Sequence, residues 1–466
     1  MTLGPRRLSL LMCLVCVVGA ALLTPALAQE APVKIGVLLP LSGEIAAFGE
    51  PLQRAAELAV SVVNEQGGLL GGRRLEVVVV DDRSDPEAAV AAARRLVHEE
   101  GVFALVTVSS PIALRVATEV TIPEQIVHIT LATSPSISQL DDGGYVFRMV
   151  ATDEQQAELL AVTAQRLGHE RVSILHVDSE YGRDVARTFT RAYVDLGGRV
   201  AATVSYVPGK ASYREELEAV ALPGSQALVL VGYPESGAVI VREALEHGYF
   251  SRFVLSDGLA VPAFIQAFAG ALEGAAGATP YSLQWPNYTE TLRLYEERYG
   301  PVGHVPLLSE MFESVTTLAL AAEMAGDTAS AAVRDALESI NKSLSGDEEI
   351  VWPHEWAKAV QLIREGIPFF YAGVLDPEGF NEAGDPGVVL AGAWTVIGGQ
   401  IREIGAREYF LDAQPEAQDP VKIGVLIPYS GELADYGEPL QRAAVLAASH
   451  VNEQGGLLGR RRLELV

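Results

Sequence analysis

Residues 33–68 read VKIGVLLPLSGEIAAFGEPLQRAAELAVSVVNEQGG, and this stretch decides the fold class. The apolar run from Val33 to Leu39 is too short for a buried helix and ends at a proline, which predicts a strand buried on both faces. A turn leads into a helix that has Pro51 in its first turn and an apolar stripe at helical spacing. Gly67 and Gly68 end that helix. Such a strand–loop–helix unit opens a parallel α/β sheet, in which ligands bind beyond the carboxyl ends of the strands.

The opening unit occurs twice in the chain. Residues 32–78 and 420–466 align without a gap over 47 positions, of which 10 differ and 37 are identical. Identity at this level indicates a recent duplication. One strand, one helix and part of a second strand cannot bury an α/β core. We therefore interpret 420–466 as a truncated repeat of 32–78, joined through a polar, proline-bearing linker at 411–419.

The N-terminus has the organisation of an export signal. Basic residues precede an apolar run from Leu8 to Leu23, and an Ala-Leu-Ala tripeptide ends at Ala28. This order predicts a secretory signal peptide over residues 1–28 and a periplasmic or secreted mature protein, with an uncleaved membrane anchor as the alternative. Both cysteines, Cys13 and Cys16, lie within the signal, so the mature chain is predicted to be free of cysteine.

Charge and motifs exclude several functions. The formal net charge is −26, and an acidic surface without a basic stripe argues against nucleic-acid partners and anionic membranes. No nucleophile elbow, phosphate loop or dinucleotide fingerprint follows a predicted strand. His354-Glu355 lacks the second histidine of a zinc helix, since Lys358 stands at that position. We therefore predict a protein that is not an enzyme and binds no cofactor and no metal.

Strand and helix patterns alternate along most of the chain and predict an α/β fold with two doubly wound lobes. A first series ends near residue 150, and a second series begins there. The small residues of 270–277 suit a crossing back to the first lobe. We assign residues 29–150 and 277–350 to lobe 1, and residues 151–276 and 351–410 to lobe 2.

Short polar side chains and two tyrosines cluster at the predicted strand ends. They are Ser42, Ser109, Ser110, Thr133, Tyr181, Tyr233 and Asp257. Helix N-termini at Ser109-Ser110 and near Thr133 offer N–H groups suited to a carboxylate. Asp257, in the other lobe, suits an ammonium group. Taken together, these residues predict a site that binds a small zwitterion between the lobes. Each residue alone is equally typical of a helix cap or a turn.

The chain resembles the periplasmic solute-binding proteins of branched-chain amino acid ABC transporters. Residues 32 to about 405 carry the resemblance, in the segments VKIGVLLPLSG, VVVDDRSDPEAAVAAARRLV, LATSPSISQL, DSEYGRDVARTF, FNEAGDPG and AWTVIGGQI. The resemblance implies a type I periplasmic binding fold, with two Rossmann-like lobes joined by three crossover strands that close on a ligand. It also implies delivery of an amino acid or amide to an ABC permease. A ligand-sensing receptor module of the same fold is the alternative.

By position, the resemblance implies roles for the candidate residues. The carboxylate site would be Ser109, Ser110 and Thr133, with the Ala132 carbonyl accepting from the ammonium group, Tyr181 and Tyr233 as aromatic walls, Asp257 as the acidic partner, and Ser42 and Phe48 as further contacts. Asp257 stands where a longer glutamate is usual, and the loop at 131–133 is one residue shorter than usual. Phe48 stands where some members have tyrosine. Leucine, isoleucine, valine, amides, urea-like compounds and aromatic acids all remain open as ligands.

Overall fold

The computed structural model describes residues 31–222, 224–281, 286–342, 344, 346–375 and 379–410, with fragments of the C-terminal repeat including 421–423 and 463–465. The predicted signal peptide (1–28) and linker (411–419) lie outside the described residues. Across the described part of the chain, every helix is too short or too polar to traverse a bilayer.

Fourteen strands form the body of the described chain. They are β1 (Val33–Leu39), β2 (Leu75–Asp81), β3 (Ala104–Thr107), β4 (Val127–Thr130), β5 (Val146–Arg148), β6 (Arg171–Val177), β7 (Arg199–Tyr206), β8 (Ala227–Val231), β9 (Phe253–Leu255), β10 (Ala276–Thr279), β11 (Glu349–Val351), β12 (Phe369–Tyr371), β13 (Val388–Ile397) and β14 (Gln400–Phe410). The predicted strand at the start of the chain is confirmed, since β1 covers the apolar run and pairs with β2 on one side and β3 on the other.

Helices separate most of these strands. They are α1 (Gly49–Glu65), α2 (Pro86–Arg95), α3 (Ser110–Val116), α4 (Asp153–Arg166), α5 (Glu180–Asp195), α6 (Arg214–Val220), α7 (Pro234–Glu246), α8 (Pro262–Ala267), α9 (Pro286–Tyr299), α10 (Leu308–Ala325), α11 (Ser330–Ser339) and α12 (Trp356–Glu365). π-helical turns continue α2 and α3. The Asp85 side chain caps α2 by accepting from the Ala88 N–H at 2.8 Å, as the Asp-Pro start predicts.

The strands form two large sheets, one in each lobe. Lobe 1 has a parallel sheet in the order β2-β1-β3-β4-β5. Lobe 2 has the order β14-β13-β10-β9-β8-β6-β7, in which the five strands from β6 to β10 are parallel and β13 is antiparallel to its neighbours. The two-lobed α/β fold predicted from the sequence is therefore confirmed.

Residues 351–375 and 379–387 pack on lobe 1, which corrects the boundary predicted at residue 351. Helix α12 contacts α1 and α10, and the Trp356 Nε1–H donates to the Gly68 carbonyl at 2.8 Å. The Asn341 side chain bonds both the N–H and the carbonyl of Tyr371, each at 2.9 Å. The strand and turn patterns of this region do not indicate which lobe it packs on. The long-range contacts show that it packs on lobe 1.

The crossing predicted at 270–277 is also corrected. That segment leads into β10, which pairs with β9 and β13 inside the lobe 2 sheet. The chain returns to lobe 1 only after Thr279. Small residues are needed there because β10 is packed closely, and a Cβ on Gly277 would lie 2.2 Å from the Leu255 carbonyl oxygen.

The fragments of the C-terminal repeat pair as the first unit does. Two short strands, β15 (Val421–Ile423) and β16 (Leu463–Leu465), are parallel, with Val421 opposite Leu463. The equivalent pair in lobe 1 is Val33 opposite Leu75. The register of the two copies is therefore the same.

A buried arginine holds the connections between the lobes together. Arg148, at the end of β5, is 1% exposed, and its Nε donates to the Asp385 carboxylate at 2.7 Å. Its backbone N–H donates to the Gly384 carbonyl at 2.8 Å. Three residues later, the Ala151 N–H donates to the Pro280 carbonyl at 3.1 Å. These bonds tie the three crossings, near residues 149–152, 280 and 385, to one another.

We expect Asp385→Asn to lower the free energy of unfolding by about 3–5 kcal/mol, because it leaves the Arg148 charge buried without a counter-ion. Urea denaturation followed by circular dichroism measures the change. Asp178→Asn is the matched control, since it breaks the half-exposed pair with Arg183 and should cost less than about 1 kcal/mol. Equal losses in the two variants would contradict the role given to the buried pair.

Candidate functional site

The carboxyl ends of strands from both sheets meet at one cavity. Its lining residues are Ile45, Phe48, Val108, Ser109, Ser110, Leu131, Thr133, Tyr181, Tyr233, Asp257 and Leu307. Loops after β1, β3 and β4 supply the lobe 1 side, and loops after β6, β8 and β9 supply the lobe 2 side. This is the position that parallel α/β sheets give to ligands, at the points where the strand order reverses.

Seven of the nine predicted site residues line this cavity together. They are Phe48, Ser109, Ser110, Thr133, Tyr181, Tyr233 and Asp257. Their sequence separations are large, so only the folding of both lobes brings them together. The predicted placement of loop tips from two lobes around one cleft is what the structure shows.

Aromatic rings form the lobe 2 wall of the cavity. The rings of Tyr181 and Tyr233 stack with centroids 5.4 Å apart, and Phe48 of lobe 1 meets Tyr233 edge-on at 6.4 Å. Tyr181 lies in the first turn of α5, whose Ser179 cap accepts from the Gly182 N–H at 3.2 Å. The cap and the stack hold the Tyr181 hydroxyl toward Asp257.

Asp257 supplies the negative charge of the cavity. The Tyr181 hydroxyl donates to its Oδ1 at 2.6 Å, and the Gln156 Nε2 donates to the same oxygen at 2.5 Å. Burial raises the pKa of the Asp257 carboxyl, while the bonds from Tyr181 and Gln156 act to lower it. The two donors thus favour the ionised form that a cationic ligand group needs.

The lobe 1 wall presents hydroxyl groups and the start of a helix. Ser109 has an extended backbone and precedes α3, which begins at Ser110. The Ser110 Oγ accepts from the Ser134 N–H at 3.2 Å, which joins the loop after β3 to the loop after β4. Thr133 is fixed through its carbonyl, which accepts from the Asp153 N–H at 2.7 Å. These loops give a polar surface without positive side chains.

The remaining lining is apolar. Ile45, Val108, Leu131 and Leu307 are each less than a tenth exposed. Leu307 comes from the loop before α10 and has a left-handed backbone with φ 57°, which is uncommon for a residue other than glycine. Among the described residues that line the cavity, none is a lysine or an arginine.

Two predicted site residues are not at the cavity, and both predictions are corrected. Ser42 is exposed, and its hydroxyl donates to the Asp81 carboxylate at 2.7 Å, so it fastens the turn after β1 to the end of β2. The Ala132 carbonyl, predicted to receive an ammonium group, accepts instead from Nη1 of Arg148 at 2.9 Å. Ala132 points into the arginine network behind the cavity.

Contacts across the rim join the two lobes. Burial raises the pKa of Glu44 in lobe 1, and the nearby backbone N–H and hydroxyl of Ser236, at the start of α7 in lobe 2, act to lower it. Burial likewise raises the pKa of Glu235 in lobe 2 to about 7, with nearby Glu44 adding to the rise and the Ala47 N–H of lobe 1 acting against it. Deeper in, the Ser134 hydroxyl donates to the Asp184 carboxylate at 2.8 Å. The lobes are therefore in direct polar contact around the cavity.

Three residues that the sequence analysis did not select lie near the site, and of these Leu307 lines the cavity while Asp153 and Gln156 lie behind the lining. Asp153 and Gln156 lie in the first turn of α4, directly behind Thr133 and Asp257. Acidic and amide side chains are ordinary at a helix start, so their sequence context carried no signal of a site. Leu307 stands in a loop without any motif.

Comparison with known proteins places the chain in a family. The model of the periplasmic binding protein family matches residues 32–355 and, separately, 420–466. This chain belongs to the periplasmic binding protein family. The resemblance stated from the sequence is therefore confirmed, and the family model matches both copies of the repeated unit.

Individual relatives of this periplasmic binding protein agree with the assignment. A leucine-, isoleucine-, valine-, threonine- and alanine-binding protein of Pseudomonas aeruginosa is 27% identical over 342 residues, which cover 72% of this chain and 89% of that protein. The crystal structure of a leucine binding protein, LivK, from Thermotoga maritima has a TM-score of 0.66 at 24% identity, covering 80% of this chain and 98% of its own. An ABC transporter solute binding protein of Rhodopseudomonas palustris, in complex with 3,4-dihydroxybenzoic acid, has a TM-score of 0.65 at 17% identity, covering 82% and 99%. The structural neighbours confirm the two-lobed type I fold.

We expect Gly258→Ala to lower the free energy of unfolding by about 1–3 kcal/mol, because the new methyl group has no room. A Cβ there would lie 2.3 Å from the Gly232 carbonyl oxygen and 2.8 Å from the Tyr233 ring. Gly270→Ala is the control, since nothing lies within 4 Å of its Cβ, and its effect should stay within about 0.5 kcal/mol. Urea unfolding distinguishes the variants, and an unchanged Gly258→Ala would show that the loop after β9 is not closely packed.

Proposed function

We propose that this protein is an extracytoplasmic solute-binding protein that captures an amino-acid-like zwitterion between its lobes and delivers it to an ABC permease. The observation that carries the proposal is the cavity itself, which is lined both by the half-buried Asp257 carboxylate of lobe 2 and by the polar start of α3 in lobe 1. The known members matched above are binding proteins of ABC transporters and of branched-chain amino acids. Export through the predicted signal peptide is part of the same proposal.

The charge of the cavity favours a ligand with an ammonium group. Asp257 is the acidic side chain in the lining, and the described lining residues include no cation to balance it. A cationic ligand group would replace the hydration that the carboxylate loses in the closed cleft. A ligand that carries only a carboxylate, as aromatic acids do, would instead add like charge near Asp257.

The carboxylate of the zwitterion is proposed to lie against Ser109, Ser110 and Thr133. The N–H groups at the start of α3 and the helix dipole favour a negative group there, and hydroxyl donors add directional bonds. This arrangement recognises a carboxylate without a lysine or an arginine. In this arrangement lobe 1 binds the carboxylate of the ligand and lobe 2 binds its ammonium group. The lobes must therefore close for both ends to be bound.

The apolar lining is proposed to hold the ligand side chain. Ile45, Phe48 and Leu307 present aliphatic and aromatic surface to the cavity. An aliphatic side chain gains roughly 0.8 kcal/mol for each CH₂ that it buries in such surroundings. Leucine, isoleucine and valine are therefore the favoured ligands, ahead of alanine and threonine.

We expect saturable binding of L-leucine, L-isoleucine or L-valine, without turnover, in isothermal titration calorimetry of protein freed of bound ligand. In the same assay 4-methylpentanoate, which is leucine without its ammonium group, should bind at least about 10-fold more weakly. Saturable binding of benzoate or 3,4-dihydroxybenzoate with no response to any amino acid would overturn the proposal.

We expect Asp257→Asn to weaken L-leucine binding by about 10- to 100-fold and to change 4-methylpentanoate binding much less, because only leucine loses a charge partner. Asp178→Asn, at the end of β6 in the same lobe and outside the described cavity lining, is the control and should bind like the wild type. If Asp257→Asn weakened both ligands equally, its role would be structural rather than ammonium recognition.

We expect deletion of residues 411–466 to leave the affinity for L-leucine within about 2-fold, because every cavity-lining residue lies between 45 and 307. The same titration applied to the full chain and to the shortened chain measures it. A loss of 10-fold or more would show that the C-terminal repeat takes part in binding.

A further inference from the structure

We propose that the C-terminal repeat (420–466) takes the place of residues 32–78 in lobe 1 of its own chain in a second folded form of the protein. In the form described above, residues 32–78 supply β1, α1 and the start of β2. In the second form the repeat supplies them. The exchange also changes the wall of the cavity, because Ile45 and Phe48 belong to the first unit.

The helical residues that the structure describes in the repeat expose a stripe that the first unit buries. Leu440 stands at the position of Leu52, and it is 50% exposed whereas Leu52 is 0% exposed. Two alanines of the stripe are likewise exposed in the repeat and buried in the first unit, namely Ala443 and Ala447 against Ala55 and Ala59. An apolar stripe of this kind is the face by which an amphipathic helix packs on a protein core.

Lobe 1 supplies the partner of this stripe in the first unit. There Leu52 belongs to the main hydrophobic core, and α1 packs on α10, which is buried from Leu308 to Glu323. Strand β1 pairs with β2 on one side and β3 on the other, whereas β15 pairs, within the described part of the chain, with β16 alone. The repeat therefore has the internal pairing of the first unit but not the contacts that α10 and β3 provide.

The repeat retains the residues that fill this place in lobe 1. Every buried position of residues 32–78 is identical in the repeat except Leu39, Ile45 and Phe48. The replacements are isoleucine, leucine and tyrosine, which are close in volume to the residues they replace. Protein cores tolerate volume-conserving changes best. The surface that the repeat would present to α10 and β3 is therefore nearly that of the first unit.

One difference accounts for the first unit holding the place in the described form. Gly72 has φ 104°, a backbone conformation that residues with a side chain rarely adopt. The repeat has Arg460 at this position, so the same loop conformation is strained in the repeat. The repeat is therefore the weaker occupant, and Arg460→Gly removes this disadvantage.

The tether favours exchange within one chain. Strand β14 ends at Phe410, opposite Val388, which lies three residues after Asp385 at a crossing between the lobes. The linker 411–419 has nine residues and spans up to about 30 Å when extended. This exceeds the length of β1, about 23 Å for its seven residues. A tethered segment has an effective concentration in the millimolar range, far above that of a second chain in dilute solution.

Carbodiimide cross-linking of the full chain distinguishes the two forms, because it joins an amine to a carboxylate with which it forms a salt bridge. The Lys34 Nζ lies 3.2 Å from a Glu100 carboxylate oxygen. The counterpart of Lys34 in the repeat is Lys422, so a Lys422–Glu100 link reports the second form. Mass spectrometry distinguishes the two linked peptides by their sequences. A mixture of isotope-labelled and unlabelled protein separates links within a chain from links between chains, and Glu100→Gln, which removes both links, is the control.

The decisive comparison places a charge on the apolar stripe of one copy at a time. Leu52→Glu expels the first unit from the core, Leu440→Glu disables the repeat, and the double variant does both. We expect Leu52→Glu to have Lys422–Glu100 as its main link and Leu440→Glu to match wild type. The double variant should lose both links and unfold at a lower urea concentration than Leu52→Glu. Arg460→Gly should raise the share of the Lys422–Glu100 link about 10-fold over wild type, because it relieves the strained loop.

Absence of the Lys422–Glu100 link from Leu52→Glu would overturn the proposal, as would equal urea midpoints for Leu52→Glu and the double variant. An unchanged link share in Arg460→Gly would overturn it as well. A Lys422–Glu100 link that joins only labelled to unlabelled chains would overturn the assignment to a single chain. No ligand is used in these measurements, so their outcome is independent of the proposed function.

Discussion

Parallel pairing of the strands in both sheets is the constraint on which the site depends. In a parallel sheet the loops that follow the strands all emerge at one edge, so the residues after β1, β3 and β4 share a surface although the chain separates them. Lobe 2 repeats this with β6, β8 and β9. The bonds of Arg148 and Ala151 tie the crossings between the two lobes together. Fold and site are therefore consequences of the same strand order.

Polar groups that are shielded from water in and behind the cleft interact more strongly than they would in solvent. The structure supports Asp257 with two donors, Tyr181 and Gln156, and it pairs Arg148 with Asp385 and with main-chain carbonyls. These groups are satisfied by the protein itself, so they are part of its rigid frame. Asp153 and the Gln156 Oε1 differ because the protein leaves them without donors.

Much of the fold and of the cavity lining was predictable from the sequence. The predictions that were wrong failed for identifiable physical reasons. Local sequence patterns were sufficient to predict three features. These are the strand β1, the capped start of α2 and the cluster of polar residues at the strand ends. Ala132 could not be placed, because its carbonyl is used by Arg148, whose own position depends on Asp385, 237 residues further along the chain. Residues 351–387 were assigned to the wrong lobe because strand and turn patterns do not identify the sheet that they join. Leu307 was not selected because it stands in a loop without any motif, and only the packing of the lobes brings it to the cavity.

The repeated unit shows which positions the core constrains and which it does not. Of the 10 differences between residues 32–78 and 420–466, only three fall at positions that are buried in the first copy. These are Leu39, Ile45 and Phe48, replaced by Ile427, Leu433 and Tyr436. Two of the three, Ile45 and Phe48, line the cavity. Core positions are held by neighbours on every side, whereas a cavity-lining side chain is held on one side only. Change at these cavity-lining positions therefore leaves the packing of the frame intact, and the shape of the cavity can change without a change of fold.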